Sequence, residues 1–331
     1  MLFINNPNNS VICMFVAVDG GGTGSRIVVT DESGNILKYF DGPPLNINTL
    51  GDIKFERNIR NILEKLRNTI SFDDSVFCFD LAGVTMNERR ISNIIRRVGI
   101  KYFKLISDIE ATFLALGGGK DCIVVSAGTG SFVYGCRKNI CHRVGGWGYI
   151  IDDEGSGYWV GRRALKYAFM SFDGRIGKTI LIRKINDFFN VSTLKEIIPI
   201  IYKGYISPRK ISELSKIVNE AAKEGDEIAQ KIFDEASLEL FVMIDVVASK
   251  IGLSPTDTFK IYATGGLMLN VELFRKKLEE YIIEKYPRFQ FSVKRVSNTV
   301  GALMICYKYK YEKFDQKFYN KIIYKIGDLF L

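Results

Sequence analysis

Two spacings of apolar residues alternate along the first part of the chain. Helical spacing appears in "FERNIRNILEKLRNTI", where apolar side chains recur from Ile59 to Leu66, and in "NERRISNIIRRVG", a predicted helix that ends at Gly99. The runs "SVFCFDLAG" and "YFKLISD" are short and almost continuously apolar, as in buried strands, and Asp108 closes the second of them. Alternating strands and helices favour an α/β domain whose functional loops follow the strand ends.

A hairpin pattern occurs twice in the sequence. The copies are "VAVDGGGTGSRIVVTDESGNIL" and "IVVSAGTGSFVYGCRKNICHRV", so that Thr23–Ser25 aligns with Thr129–Ser131. In each copy a buried strand leads into a loop of Gly, Thr and Ser, returns as a strand, and turns on polar residues at Asp31–Asn35 or Arg137–Asn139. We interpret this as a duplicated β-hairpin whose first turn permits close approach to the backbone.

Beyond Gly148 the pattern becomes mainly helical. One more strand is predicted in "FKIYATGG", a helix follows in "TVGALMICYKYKY", and "EKFDQKFYNKIIYKIGDLFL" predicts a final amphipathic helix. The sequence contains no linker rich in Pro or Ser, so we expect lobes joined by chain crossings rather than arranged in series. The 331 residues are enough for about two domains.

The composition is that of an ordinary globular protein, with 47% hydrophobic and 25% charged residues and no apolar run long enough to span a bilayer. The first residues, "MLFINNPNNSVICMF", do not resemble a secretory signal, so we expect a cytoplasmic protein. Residues before about Val11 offer little to bury, and we expect them to be dispensable. The six cysteines match neither a zinc pattern nor a C-x-x-C pair, and we expect them to be reduced thiols.

The net charge of +9, from 46 basic against 37 acidic residues, suits an anionic ligand such as ATP. It would also suit nucleic acid, but the basic residues are scattered and no helix-turn-helix or zinc-finger pattern is present. We therefore expect neither nucleic acid nor a membrane as a partner.

The glycine-rich stretch "FVAVDGGGTGS" is neither a Rossmann nor a Walker loop. Neither Gly20 nor Gly22 begins a complete G-x-G-x-x-G, and no Lys follows the glycines. What remains is a hairpin loop of backbone N–H groups and hydroxyls, which can form a concave anion site. Two such loops would hold a polyphosphate from both sides, although each alone also fits a tight hairpin without a ligand. Asp19, at the strand end, is a candidate Mg²⁺ residue or a cap on its own turn.

The stretch "RVGGWGYIIDDEGSGYWVGRRAL" carries the most specific pattern. Its Gly145–Gly148 segment exposes backbone around Trp147, and acidic residues 152–154 follow just before a helix that opens at Ser156. Carboxylates beside an aromatic ring and exposed amides suit a pyranose ring. The alternative is that the acids only favour the helix N-terminus.

Five motifs together resemble a known family. They are "DGGGTGS", "SDIEATFLAL", "SAGTGS", "GGWGYIIDDEGSGYWVGRRAL" and "YATGG". They occur in the same order as in the N-acetylglucosamine kinases and the archaeal broad-specificity ATP-dependent hexokinases. These proteins belong to the BadF/BadG/BcrA/BcrD-type branch of the actin-like sugar kinase and heat-shock protein 70 superfamily. The resemblance extends from about Met14 to about Tyr311.

The resemblance implies an α/β fold of two actin-like (ribonuclease H-like) lobes, with duplicated β-hairpin phosphate loops and an interlobe cleft for ATP and sugar. Residues 1–111 and 298–331 would form the N-terminal lobe, to which the C-terminal helix returns. Residues 112–297 would form the second lobe, with the "GGWG" sugar loop and the adenosine site.

The resemblance also implies roles for particular residues. Asp108 matches the catalytic base, which also contacts the sugar. The other sugar contacts match Asn46, Gly146, Trp147, Gly148 and Asp153. The nucleotide contacts match Gly21, Gly22, Thr23, Gly128, Thr129, Gly130, Ser212, Gly265 and Gly266. Asp19 would hold Mg²⁺ through water.

The implied function is transfer of the γ-phosphoryl group of ATP to the 6-hydroxyl of a hexose or N-acetylhexosamine, with Mg²⁺ as cofactor. The sequence leaves open which sugar is used and whether a homodimer forms. Two alternatives are a non-catalytic sugar sensor and an activator ATPase of 2-hydroxyacyl-CoA dehydratases, which holds an iron–sulfur cluster between subunits. The zinc-binding ROK kinases are excluded, because the sequence has no C-x-C-G motif and His142 lies outside any E-x-G-H pattern.

Overall fold

The computed structural model describes residues 14–203 and 206–329. The extension before Val11, which we expect to be dispensable, lies outside the described residues. Contacts divide the described chain into two compact units. Unit 1 runs to Lys120 and resumes at Val296, and unit 2 runs from Asp121 to Arg295.

The strands follow the duplicated pattern seen in the sequence. In chain order they are β1 (Met14–Gly20), β2 (Ser25–Asp31), β3 (Ile36–Gly42), β4 (Ser75–Leu81), β5 (Tyr102–Ile106), β6 (Cys122–Ala127), β7 (Ser131–Arg137), β8 (Ile140–Gly145), β9 (Phe259–Thr264) and β10 (Phe289–Val293).

The helices lie between and after these strands. In chain order they are α1 (Ile47–Leu66), α2 (Val84–Arg97), α3 (Asp108–Gly117), α4 (Gly157–Phe172), α5 (Leu181–Phe189), α6 (Ile197–Tyr202), α7 (Pro208–Lys223), α8 (Glu227–Lys250), α9 (Gly266–Asn270), α10 (Glu272–Lys285), α11 (Asn298–Tyr311) and α12 (Gln316–Leu329). Short 3₁₀ helices span Phe72–Asp74 and Leu194–Glu196. Within the described residues, no helix combines the length and the hydrophobicity that crossing a membrane requires.

The two sheets confirm the duplication. Unit 1 has the strand order β3-β2-β1-β4-β5, and unit 2 has the order β10-β9-β6-β7-β8, which is the same arrangement when it is read from the hairpin side. In both sheets the hairpin strands pair antiparallel, and the first strand pairs parallel with the strand that follows a helical connection.

Strand β1 shows why its sequence is continuously apolar. Successive side chains of a strand point to opposite faces of the sheet. Val16 and Val18 belong to one buried apolar cluster of unit 1, whereas Phe15 and Ala17 belong to another. The strand is thus covered on both faces, as the central strands of α/β sheets usually are.

Helix α3 explains the first boundary of unit 1. Its Ala111 and Ala115 share an apolar cluster with Val300 and Leu303 of α11 and with Ile322 of α12. The helix therefore packs as a whole within unit 1. The boundary follows Lys120, whereas the sequence interpretation had placed it after residue 111.

The position of Asp108 corrects one sequence interpretation. Strand β5 ends at Ile106, so Asp108 does not close it and is instead the first residue of α3. Ser107 is the N-cap of α3, because its hydroxyl accepts the Glu110 N–H at 3.2 Å.

The β7–β8 hairpin corrects the interpretation of the cysteines. Its two-residue turn places Lys138 and Asn139 at positive φ, as a type I′ turn requires. Cys136 and Cys141 face each other across the hairpin with their Cα atoms 4.1 Å apart, and they form a disulfide instead of the two reduced thiols expected. The close approach of directly paired residues in antiparallel strands makes this bond possible.

Reduction of this disulfide should lower the free energy of unfolding by roughly 2 kcal/mol, the loop-closure entropy expected for so short a loop. The midpoint of urea unfolding, measured with and without dithiothreitol, would show the change. A variant with both Cys136→Ser and Cys141→Ser should unfold at the reduced midpoint and no longer respond to dithiothreitol. Equal midpoints for oxidised and reduced wild-type protein would contradict this expectation.

Candidate active site

The first glycine loop joins β1 to β2 between Gly20 and Ser25. It closes through a hydrogen bond of 2.9 Å from the Gly21 N–H to the Gly24 carbonyl. Gly22 is exposed in this loop, and a Cβ atom placed on it would meet no heavy atom within 4 Å. The loop therefore presents open backbone where a phosphate group is expected to bind.

Asp19 lies immediately before this loop, opposite Arg26 of β2 and Asp80 of β4. Burial raises the pKa of Asp19 to about 6, the Arg26 guanidinium acts to lower it, and the nearby charge of Asp108 adds to the rise. Asp19, Asp80 and Asp108 thus form one electrostatically linked group of acids in unit 1.

Asp80 is a polar residue that the sequence interpretation missed. It is only 1% exposed, and among the described residues neither of its carboxylate oxygens has a hydrogen-bond partner of normal geometry. Burial and the charges of Asp19 and Asp108 raise its pKa well above the usual range, while the Asn298 side chain acts to lower it. A single acid inside the apolar run "SVFCFDLAG" was the signal that could have revealed it.

Asp80→Asn should make the protein more stable at pH 8 by roughly 1–3 kcal/mol, because a neutral amide replaces a buried carboxyl group whose charged form burial disfavours. The raised pKa means that the folded state binds this proton more tightly than the unfolded state. The contribution of Asp80 to stability is therefore complete below the unfolded pKa and is lost as the pH rises through the folded pKa.

Urea unfolding at pH 5 and pH 8 would measure this effect, with Asp73→Asn as a control at an exposed position of the same unit. The stability gained from Asp80→Asn should be larger at pH 8 than at pH 5. A gain that is the same at both pH values, or a loss at pH 8, would contradict the account of Asp80.

Asp108 is held in place at the start of α3. Its Oδ1 accepts the N–H of Ile109 at 3.0 Å, and its carbonyl accepts the hydroxyl of Thr112 at 2.7 Å. The same hydroxyl lies 2.9 Å from Oδ1 of Asn298, at the start of α11. The residue is exposed, so its carboxylate is both oriented and accessible to a ligand.

Asn46 precedes α1 and caps it. Its Oδ1 accepts the N–H of Asn48 at 3.0 Å. A sugar contact through Nδ2 is compatible with this role, because the amide side chain carries its donor and its acceptor on different atoms. The contribution of Asn46 to sugar binding stays a prediction.

The second glycine loop joins β6 to β7 at residues 128–130. Its Gly128 N–H donates to the Gly130 carbonyl at 2.9 Å, two residues on, whereas the bond in the first loop spans three residues. The carbonyls of Gly128 and Thr129 accept the N–H groups of Gly157 and Tyr158, at 2.8 and 3.1 Å. The start of α4 thus fixes this loop, while a Cβ atom on Gly128 would still meet nothing within 4 Å.

Asp153 lies against the second loop. It is 8% exposed and has a φ of 68°, a conformation that residues other than glycine rarely adopt. Its Oδ1 accepts the Ser131 N–H at 3.2 Å, and a Cβ atom on Gly130 would be only 2.8 Å from its Oδ2. Asp153 therefore supports the loop directly, and its contact with a sugar stays a prediction.

Gly265 and Ser212, two of the candidate adenosine contacts, lie close to the second loop or to the start of α4 that holds it. Gly265 has a φ of 99°, and a Cβ atom on it would be 2.4 Å from the Ala127 carbonyl oxygen, so glycine alone fits there. Gly266 begins α9. Ser212 lies in α7. It packs close to Gly157, since a Cβ atom placed on that glycine would be 3.4 Å from the Ser212 Cβ.

The "GGWG" loop follows β8. Gly145, Gly146 and Gly148 all have positive φ, between 77° and 95°, which explains the glycines at these positions. The N–H of Trp147 donates to Oδ2 of Asp152 at 3.1 Å. The Trp147 side chain is 65% exposed and is thus available for a ligand.

The candidate residues are therefore distributed over both units. Unit 1 holds the first glycine loop together with Asp19, Asn46 and Asp108. Unit 2 holds the second glycine loop, the "GGWG" loop, Asp153, Ser212 and the Gly265–Gly266 pair.

Comparison with known proteins identifies the family. Residues 16–305 match the BadF/BadG/BcrA/BcrD ATPase family. The chain belongs to this family. The resemblance found in the five sequence motifs is thereby confirmed.

Two proteins named as sugar kinases are similar to this chain over most of their length. An N-acetylmuramic acid/N-acetylglucosamine kinase from Clostridium acetobutylicum is 31% identical over 300 residues, which is 88% of this chain and 97% of that protein. An N-acetyl-D-glucosamine kinase from Dictyostelium discoideum is 26% identical over 309 residues, again 88% of this chain and 97% of that protein.

A solved structure supports the fold. A protein from Chromobacterium violaceum, described as a candidate N-acetylglucosamine kinase, superposes with a TM-score of 0.73 at 24% sequence identity. The match covers 89% of this chain and 99% of that chain. The two-lobe α/β fold predicted from the motifs is confirmed.

A magnesium ion fits the residues of the first loop only with a nucleotide present. Among residues 14–203 and 206–329, no three or more Asp, Glu, His and Cys side chains are grouped to hold a metal ion by themselves. Asp19 offers one carboxylate beside the open loop, and phosphate and water oxygens are the other ligands that Mg²⁺ prefers. The residues thus fit an ion that arrives with ATP.

The cysteines weigh against the activator ATPase. An iron–sulfur cluster shared between subunits needs thiolates that can reach an interface. In the part of the chain that the structure describes, Cys136 and Cys141 are bonded to each other, and Cys78, Cys122 and Cys306 are buried. These five cysteines do not form a ligand set for such a cluster.

Proposed function

We propose that this protein is an ATP-dependent kinase that phosphorylates the 6-hydroxyl of a hexose or N-acetylhexosamine. The observation that carries the proposal is the grouping in unit 1 of an open glycine loop, Asp19 directly before it, and an exposed, oriented Asp108. The relatives named as kinases of N-acetylglucosamine favour an N-acetylhexosamine as the acceptor. The proposed place of action is the cytoplasm, where ATP is available.

Phosphoryl transfer depends mainly on positioning and on neutralising charge. The backbone N–H groups of the two glycine loops would bind the polyphosphate. Ser212, Gly265 and Gly266 would contact the adenosine. The sugar would be held by Asn46, Gly146, Trp147, Gly148 and Asp153.

Asp108 would act as the general base. Its carboxylate would accept a hydrogen bond from the 6-hydroxyl and take the proton as that oxygen bonds to the γ-phosphorus atom, while the bond to the ADP oxygen breaks. The Ile109 N–H holds Oδ1 of Asp108, so the carboxylate is oriented before any sugar binds. Asp19 would hold Mg²⁺ through water, and the ion would neutralise phosphate charge.

A coupled assay of ADP release across glucose, mannose, glucosamine and N-acetylglucosamine tests the proposal. We expect ADP release to depend on sugar and to have its highest kcat/KM with an N-acetylated sugar. ATP hydrolysis that no sugar stimulates would favour the activator ATPase. Sugar binding in calorimetry without any ADP release would favour the sensor.

A further inference from the structure

A row of charged residues crosses the sheet of unit 1 at the end that carries the first glycine loop. The strand register places Arg26 of β2 directly opposite Asp41 of β3 on one side and Asp19 of β1 on the other. Asp19 in turn lies directly opposite Asp80 of β4. Directly opposed residues point to the same face of a sheet, so these four side chains share one face. Arg26 is the one cation among the four.

The duplicated hairpin shows that the pair of Asp19 and Arg26 is specific to the first loop. These two residues form the second residue pair away from that loop, one on the strand that enters it and one on the strand that leaves it. The pair at the equivalent position of the second hairpin is Ser126 and Phe132. Both hairpins thus supply a glycine loop, but the first flanks its loop with an acid and a base.

The Arg26 side chain has carboxylate neighbours and is still accessible. Its Nε lies 3.9 Å from Oδ1 of Asp41, and the two side chains are 40% and 86% exposed. An ion pair that is this long and this exposed contributes little to stability. On its other side the guanidinium group acts to lower the pKa of Asp19. Arg26 therefore lies beside the first loop with part of its side chain open to a ligand.

The charges around the first loop favour a phosphate ligand for Arg26. ATP would bring a polyphosphate to a loop that Asp19 borders, and this loop contains no lysine of the kind that a Walker loop uses. Phosphoryl transfer depends on neutralising the charge of the phosphates. A guanidinium group can do this, because its planar N–H donors match two phosphate oxygens.

We propose that Arg26 binds a phosphate group of ATP at the first glycine loop and neutralises part of its charge. This inference rests on the proposed function. It adds a cationic side chain to a nucleotide site whose phosphate contacts would otherwise come from backbone N–H groups. Arg26 would exchange its weak ion pair with Asp41 for the phosphate, so Asp41 itself would contribute nothing to nucleotide binding.

The test measures ATP affinity by calorimetry in wild-type protein and in variants at both ends of the ion pair. ATP affinity should fall roughly 10- to 100-fold in Arg26→Gln, the loss expected for hydrogen bonds to a charged group. Arg26→Lys should restore part of the affinity, because it keeps the charge but not the planar donors. Asp41→Asn removes the same ion pair from its other end and should bind ATP at least as tightly as wild type. Sugar affinity without nucleotide should be unchanged in all three variants.

A second titration, in EDTA instead of Mg²⁺, separates a direct contact from an effect through Asp19. A contact between Arg26 and a phosphate group needs no metal ion, so the loss in Arg26→Gln should be about as large in EDTA. A loss seen only with Mg²⁺ would show that Arg26 acts through Asp19, and it would overturn the inference.

Three further results would overturn the inference. Wild-type ATP affinity in folded Arg26→Gln protein would show that Arg26 binds no phosphate and would leave the proposed function intact. An equal loss in Asp41→Asn would give the ion pair a structural role. Wild-type protein that bound no ATP would overturn both the inference and the proposed function. If Arg26→Gln did not fold, Arg26→Lys would decide, because its ATP affinity should still lie below that of wild type.

Discussion

Asp108→Asn should lower kcat by about 10²–10⁴-fold, the usual contribution of a positioned general base. Asparagine keeps an Oδ1 atom that can accept the Ile109 N–H, so the side chain should keep its orientation. The amide cannot take the proton of the sugar hydroxyl, and only the chemical step should suffer. Calorimetry should therefore find the affinities for sugar and ATP within a few-fold of wild type.

Glu110→Gln is the matched control for this variant. Glu110 is exposed on the same helix and undergoes the same chemical change, but it has no proposed role in the reaction. Its turnover should stay close to that of wild type. If Asp108→Asn kept more than about a tenth of the wild-type kcat, the base would have to be another residue.

Gly22→Val should weaken ATP binding by roughly 10- to 100-fold, because a branched side chain would block at least one hydrogen bond between the backbone and a phosphate oxygen. A Cβ atom on Gly22 meets no heavy atom of the protein within 4 Å, so the folded structure should tolerate the change. Calorimetry with ATP would measure the effect, and sugar affinity in the absence of nucleotide should be unchanged.

Gly177→Val provides a control at an equally open glycine outside both loops, and its ATP affinity should equal that of wild type. Gly130→Val is not an equivalent test, although the repeated sequence pattern treats Gly22 and Gly130 alike. A side chain at Gly130 would collide with the Asp153 carboxylate. If folded Gly22→Val protein bound ATP as tightly as wild type, the first loop would be a simple hairpin with no role in phosphate binding.

The duplicated hairpins and most helices could be predicted from the sequence because their signals are local. The apolar run of β1, the small residues at Thr23–Ser25 and Thr129–Ser131, and the helical spacing before Leu66 each lie within one short segment. The family motifs then assigned roles to particular residues, including Asp19 and Asp108, and these roles stay predictions.

The features that the sequence did not reveal depend on pairing between segments. Asp80 joins the group of acids only once β4 lies beside β1, which places it opposite Asp19. The disulfide depends on the register of β7 and β8, which brings Cys136 opposite Cys141. The start of α3 at Asp108 is a different case, because it depends on the local hydrogen bond from the Glu110 N–H to the Ser107 hydroxyl, and helix boundaries are decided by such bonds.

The position of the phosphate in the product tests the central claim most directly. N-acetylglucosamine and ATP would be incubated with the enzyme and Mg²⁺, and the purified product would be examined by two-dimensional phosphorus–proton correlation NMR. The account predicts a single sugar phosphate whose phosphorus couples to the two protons on carbon 6, formed in equal amount to ADP. Coupling to the proton on carbon 1, or ADP formed without any sugar phosphate, would contradict it.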